Sequence, residues 1–193
     1  MICVRILLDA GSEVDVLNSG LNSPLLMAAS RGSDDVVRLL IDRNADINLR
    51  NLKDRDALYM AVLYAHSAKN LPSILNTLNF QGVDLDQLDS TGASPLHECA
   101  ARNLPRPVRL LVDAGALVNN KHGRSGVTPL QIASSANFPD VETVRSFLDK
   151  GAYPNWKDSD ARSAFEVVLY THETNCKKPV IDPADGEELP PLM

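Results

Sequence analysis

The sequence predicts an all-α solenoid of stacked helix–turn–helix units with projecting turns, and three observations predict it. A helix-opening triplet recurs as Ser23-Pro24-Leu25, Asp56-Ala57-Leu58, Ser94-Pro95-Leu96, Thr128-Pro129-Leu130 and Ser163-Ala164-Phe165, at spacings of 33, 38, 34 and 35 residues. A second anchor, a large apolar residue four positions before a glycine-like turn, keeps step with it at Leu7/Gly11, Leu40/Asn44, Leu78/Gly82, Leu111/Gly115 and Phe147/Gly151. Two anchors in register over five units mark an internal repeat, whose units bury their apolar faces on one another. Aromatic residues make up only 5% of a chain that is 44% hydrophobic. That balance suits thin stacked helices better than one bulky core.

Taken in order, residues 1–17 form a partial unit, because Met1 to Asp9 supply a second helix with no first helix before it. Full units follow at about 18–50, 51–88, 89–122 and 123–157, and a partial unit at 158–171 supplies a first helix. Ser or Thr before Pro-Leu is an N-cap with Pro in the first turn, where its missing N–H costs nothing. Gly11, Gly82, Gly115 and Gly151 fit a helix end that needs a left-handed residue, and Asn44 is the usual substitute. Asn18, Asn51, Asp89 and Asp158 are the expected turn openers.

The wide spacing in the second full unit places extra residues around Tyr64 to Pro72, as a longer first helix or a bulging loop. Pro72 and Pro107 are expected near the starts of their second helices. The apolar first segment, Ile2 to Leu7, does not look like a polar cap, so the array is expected to continue in a longer protein. Residues 172–193, with four prolines and five acids, read as a loosely draped tail or as a cap made by Val180 and Ile181.

Composition excludes several functions. The net charge is −6 with no basic stripe, which argues against nucleic-acid binding. Cys3, Cys99 and Cys176 are odd in number and far apart, which suits reduced thiols and a cytoplasmic or nuclear setting. No segment reads as a membrane span or a signal peptide. His97 and Cys99 lie two apart on a helix, about 200° around its axis, so they cannot share a proton. His66, His97, His122 and His172 fall in different units without paired ligand spacing. The chain is therefore expected to be no enzyme, with no metal, no cofactor and no small-molecule ligand.

A period near 33 with Thr-Pro-Leu-His-x-Ala resembles the ankyrin repeat. Ser94 to Cys99 match that motif with Ser for Thr and Cys for the small residue. Thr128 to Ala133 carry Gln131, and Ser23 to Ala28 carry Leu26, at the His position. The resemblance covers roughly residues 1–171 and implies a non-catalytic protein–protein interaction module: a scaffold, adaptor or inhibitor binding a protein partner on a concave face. The alternative is the substrate-recruiting part of a larger enzyme or ubiquitin-ligase adaptor.

Carried onto this sequence, the resemblance puts Arg31, Lys53, Arg55, Leu63, Tyr64, Ser90, Thr91, Arg102, Arg124 and Arg162 on that face. The six cations predict an acidic, extended partner, and Leu52, Leu63 and Tyr64 an apolar centre. Trp156 is either a further anchor or a residue buried between hairpins. Asn48 is similar to the hairpin asparagines hydroxylated in many members of the family.

Overall fold

The computed structural model describes residues 2–64, 70–123, 125–135 and 140–169, and the backbone of 180–181 and 188–189. The array comprises α1 (Ile2–Asp9), α2 (Pro24–Ser30), α3 (Asp34–Asp42), α4 (Ala57–Leu63), α5 (Leu71–Phe80), α6 (Pro95–Ala101), α7 (Pro105–Asp113), α8 (Pro129–Ser135), α9 (Val141–Asp149) and α10 (164–169). Even-numbered helices are the first helices of their units. Each starts at one of the recurring triplets because a polar side chain there caps it. Ser23 Oγ accepts from Leu26 N–H at 3.3 Å, Asp56 Oδ1 from Tyr59 N–H at 2.8 Å and Ser163 Oγ from Glu166 N–H at 3.3 Å. Such caps satisfy amides that a helix cannot bond internally.

From the end of each second helix to the next turn opener is nine residues: Asp9 to Asn18, Asp42 to Asn51, Phe80 to Asp89, Asp113 to His122 and Asp149 to Asp158. A left-handed residue lets the chain leave the helix, at Gly11, Asn44, Gly82, Gly115 and Gly151. This constant register lets like helices stack. First helices form one row, α2 on α4, α4 on α6 and α6 on α8, and second helices the other, α3 on α5, α5 on α7 and α7 on α9.

The core runs through the middle of this double row. Leu25, Leu58, Leu96 and Leu130, one from each of the first four triplets, are at most 2% exposed, and burying each contributes about 2 kcal/mol; Phe165 of the fifth is 69% exposed. Ala28, Ala61, Cys99 and Ala133 fill the small-residue slot between adjacent helices and are all buried. Burial raises the Cys99 thiol pKa, so it stays protonated and inert. Cys99→Leu is expected to overpack the slot and destabilise the array by about 1–3 kcal/mol, measured as a lowered urea midpoint; Cys99→Ala should cost less.

Three sequence expectations change in detail. The α7 helix begins at Pro105, two residues before Pro107, because Pro105 takes the first helical turn itself. The α4 helix has the same seven residues as α2, α6 and α8, so the wide spacing is absorbed after Leu63, where 65–69 lie outside the described residues. In the tail, Val180 pairs with Leu189 and Ile181 with Glu188 as two short antiparallel strands; the other tail expectations, like Cys176, lie outside the described residues. No described helix is long and apolar enough to cross a membrane.

Candidate protein-binding surface

Four of the five projecting turns are held by the side chain that opens them. Asn18 Oδ1 accepts from the Gly20 and Asn22 amides at 2.9 and 3.0 Å, and Asn51 Oδ1 from Lys53 and Arg55 at 2.9 and 3.2 Å. Asp89 Oδ1 accepts from Thr91 and Ala93 at 2.9 and 3.2 Å, and Asp158 Oδ1 from Asp160 and Arg162, both at 2.9 Å. Short polar side chains open turns for this reason. Just before the fourth full unit His122 takes the position, and a turn one residue longer closes, among the described residues, through backbone bonds, His122 N–H to Val127 O at 2.8 Å.

Neighbouring tips are joined by one backbone bond each. Leu52 N–H donates to Gly20 O at 3.2 Å, Ser90 to Lys53 at 3.0 Å, Gly123 to Gly92 at 2.9 Å and Ser159 to Ser125 at 3.1 Å. Side chains bridge the units beneath this ladder. His97 Nδ1 accepts from Ser94 N–H at 3.1 Å, which puts the ring proton on Nε2, and Nε2 donates to Val127 O at 3.1 Å. Burial lowers the His97 pKa to about 4. Gln131 repeats the arrangement one unit later: Oε1 accepts from Thr128 N–H at 2.8 Å and Nε2 donates to Arg162 O at 2.6 Å. The role implied for His97, bonding to the adjoining turn, is thus visible in two units.

The densest bridge centres on Asp89, whose side chain is fully buried. Its Oδ2 accepts from Arg55 Nε and Nη2 at 3.0 and 2.8 Å and from Tyr59 Oη at 3.1 Å, while Thr91 Oγ1 donates to Oδ1 at 2.6 Å. The Arg55 guanidinium also lies 4.7 Å over the Tyr59 ring. Burial alone would raise the Asp89 pKa, but the bonds from Thr91, Arg55 and the turn amides bring it down to about 2.

This geometry distributes the expected binding residues unevenly. Arg31, Lys53, Tyr64, Ser90, Thr91 and Arg102 are exposed, and the Arg31 and Lys53 side chains have no hydrogen bond or ion pair among the described residues. Arg102 is half-exposed at the rim, paired with Glu98 and donating to Leu63 O at 3.0 Å. Arg162 is paired with both Asp158 and Asp160. Arg55 is an interior partner of Asp89, with its side chain 15% exposed, and Leu63 is buried at 6%. These two therefore do not offer their side chains to solvent: Leu63 faces the neighbouring helices, and only its carbonyl reaches the rim. Arg124 lies outside the described residues. The exposed apolar centre is Leu52 and Tyr64.

Asn48 is exposed, its own amide bonded to Asp46 Oδ1 at 2.9 Å. Its counterpart Asn119 instead ties the next loop, donating to Gly151 O at 3.1 Å and accepting from Tyr153 N–H at 2.8 Å. Sequence reasoning missed the Arg55–Asp89 pair. The available signal was positional: Arg55 closes the turn that Asn51 opens, and Asp89 opens the next turn.

Among known proteins, a family model described as ankyrin repeats (3 copies) matches residues 2–71 and 58–158. The ankyrin repeat protein nuc-2 of Neurospora crassa is 35% identical over 194 residues, covering 98% of this chain and 14% of that protein. The ankyrin repeat domain-containing protein SAT10 of Stachybotrys chartarum is 33% identical over 166 residues, 86% of this chain and 8% of that protein. The E3 ubiquitin-protein ligase XBAT32 of Arabidopsis thaliana is 31% identical over 157 residues, 68% and 30% respectively. The chain thus spans less than a third of each of these relatives. With five in-register turns, a tip ladder and the matching family model together, the chain belongs to the ankyrin-repeat family.

Proposed function

We propose that this chain is a non-catalytic protein-binding module, a scaffold, adaptor or inhibitor, that takes an extended acidic partner on the concave face formed by its turn tips and first-helix ends. The family is an interaction fold. The observation that carries the reading is two exposed cations with no ion pair among the described residues, Arg31 at the end of α2 and Lys53 on a tip of the row that backbone bonds cross-link. A row held rigid before binding lowers the ordering cost of association. Tyr64 and Leu52 supply the apolar contact and the half-exposed Arg102 a further charge. A cytoplasmic or nuclear location forms part of this proposal.

The test is capture of partners from cells with the Arg31→Glu/Lys53→Glu double variant. Both side chains are solvated, so the fold should be retained by circular dichroism. Capture is expected to fall by at least about tenfold, and undiminished capture contradicts the proposed face. The second reading, substrate recruitment within a ubiquitin ligase, is favoured by the likeness to XBAT32. It expects captured partners to gain ubiquitin when a longer form containing this array is expressed, and unmodified partners count against it.

A further inference from the structure

A second surface lies in the loops between the second helices and the turns. Two and four residues past each left-handed helix end, the first three loops carry five carboxylates, at Glu13, Asp15, Asp46, Asp84 and Asp86. The last two loops carry none there, having Leu117, Asn119, Tyr153 and Asn155 instead. Six residues past the same points stand Arg50, which donates to Gln87 Oε1 at 2.8 Å, and, in the last two loops, Lys121 and Lys157, all three exposed. One edge of the array therefore changes along its length from acidic to apolar and cationic.

The cationic end is shaped. Tyr153 and Trp156 stack with ring centroids 6.0 Å apart, and the Lys121 ammonium sits 4.5 Å over the Trp156 ring. A hollow of about 500 Å³ opens beside them, lined by Leu117 to Lys121 and Trp156. Leu117 and Tyr153 are 62% and 59% exposed, more than large apolar side chains usually are. The loops are fixed in advance: Asn119 clamps the backbone at Gly151 and Tyr153, and Asp86, the nearest carboxylate along the edge, accepts from Leu117 N–H at 3.0 Å. Lys121 has no carboxylate partner among the described residues.

We propose that the edge formed by Leu117, Lys121, Tyr153 and Trp156 docks an extended peptide carrying carboxylates beside an aromatic or branched apolar side chain. The apolar side chain enters the hollow against Leu117 and Trp156, and the carboxylates face Lys121 and Lys157. The acidic loops of the first three units repel the same peptide, which sets its place along the edge. Leu117, Lys121, Tyr153 and Lys157 lie outside the concave row, and Trp156, weighed above as a further anchor of that row, is here stacked on Tyr153 and Lys121 instead, so this site stands or falls separately from the proposed function.

Trp156 is the only tryptophan of the chain, so its fluorescence reports on this edge alone. The probe is the synthetic peptide acetyl-Gly-Asp-Glu-Phe-Asp-Leu-Gly-amide, titrated into the full chain at low ionic strength. The controls are a peptide with lysine at each acidic position and one with glycine for Phe and Leu. A saturable change in Trp156 emission is expected with the acidic peptide only. It should weaken about tenfold in Lys121→Glu and in Tyr153→Ala, and persist in Arg31→Glu/Lys53→Glu. No saturable change with the acidic peptide, an equal response to the basic one, or an undiminished response in Lys121→Glu overturns the proposal.

Discussion

Asp89→Ala is expected to destabilise the array by about 3–5 kcal/mol, the cost of removing one partner from a buried ion pair. The substitution strands the Arg55 guanidinium, which is 15% exposed, and the Tyr59 hydroxyl, which is fully buried. It also frees the Thr91 and Ala93 amides that shape the turn. Asp89→Asn separates these roles. An asparagine holds the same kind of turn at Asn18 and Asn51, so this variant keeps the turn, but it loses the charge and puts an amide nitrogen, a donor, where Oδ2 accepts from Arg55 and Tyr59. Its destabilisation should fall between wild type and Asp89→Ala. Urea unfolding checks the order, and an Asp89→Ala midpoint equal to wild type rules out Asp89 as the joint between the second and third full units. The wild-type carboxylate titrates at about 2. Because its folded pKa is depressed, its stabilisation is present above pH 4 and is lost as pH falls through about 2.

Acid should weaken the array earlier, through His97. The folded pKa is lowered from 6.5 to about 4, so between those values the unfolded chain takes up a proton that the folded ring refuses. The stabilisation is complete above pH 6.5 and declines below it, reaching a loss of roughly 3 kcal/mol near pH 4. The physical conflict is local: Nδ1 must accept from Ser94 N–H, and a protonated ring has no acceptor left. The protein supplies its own control, since Gln131 makes the same two bonds without titrating. Urea midpoints between pH 7 and pH 4 should therefore flatten in His97→Gln. Parallel slopes for wild type and variant would assign the acid loss to other groups.

These two bridges show where sequence reasoning reached and where it stopped. The helix starts were legible because Ser23, Asp56 and Ser94 act over three residues, within one turn of chain. The turn openers were legible for the same reason, and the one exception, His122, sits where the chain carries an extra residue. The row of cations was legible only as composition. Whether Arg55 faces solvent or Asp89 depends on a contact across 34 residues between stacked units, and no local pattern encodes that. Arg162, by contrast, pairs with Asp158 inside its own turn, so its neutralisation could have been read from the sequence. Leu63 was misjudged for a related reason: at this position the carbonyl bonds the rim residue Arg102 while the side chain is buried.

Zero-length carbodiimide coupling of the chain to its captured partner, followed by mass spectrometry, tests the central claim most directly. This chemistry joins a lysine to a carboxylate it touches, so it reads the proposed charge pairing itself. The concave-face account expects links from Lys53 to Asp or Glu of the partner, lost in Lys53→Arg. Links only from Lys150, the second-helix C-cap residue paired with Asp113, would contradict it.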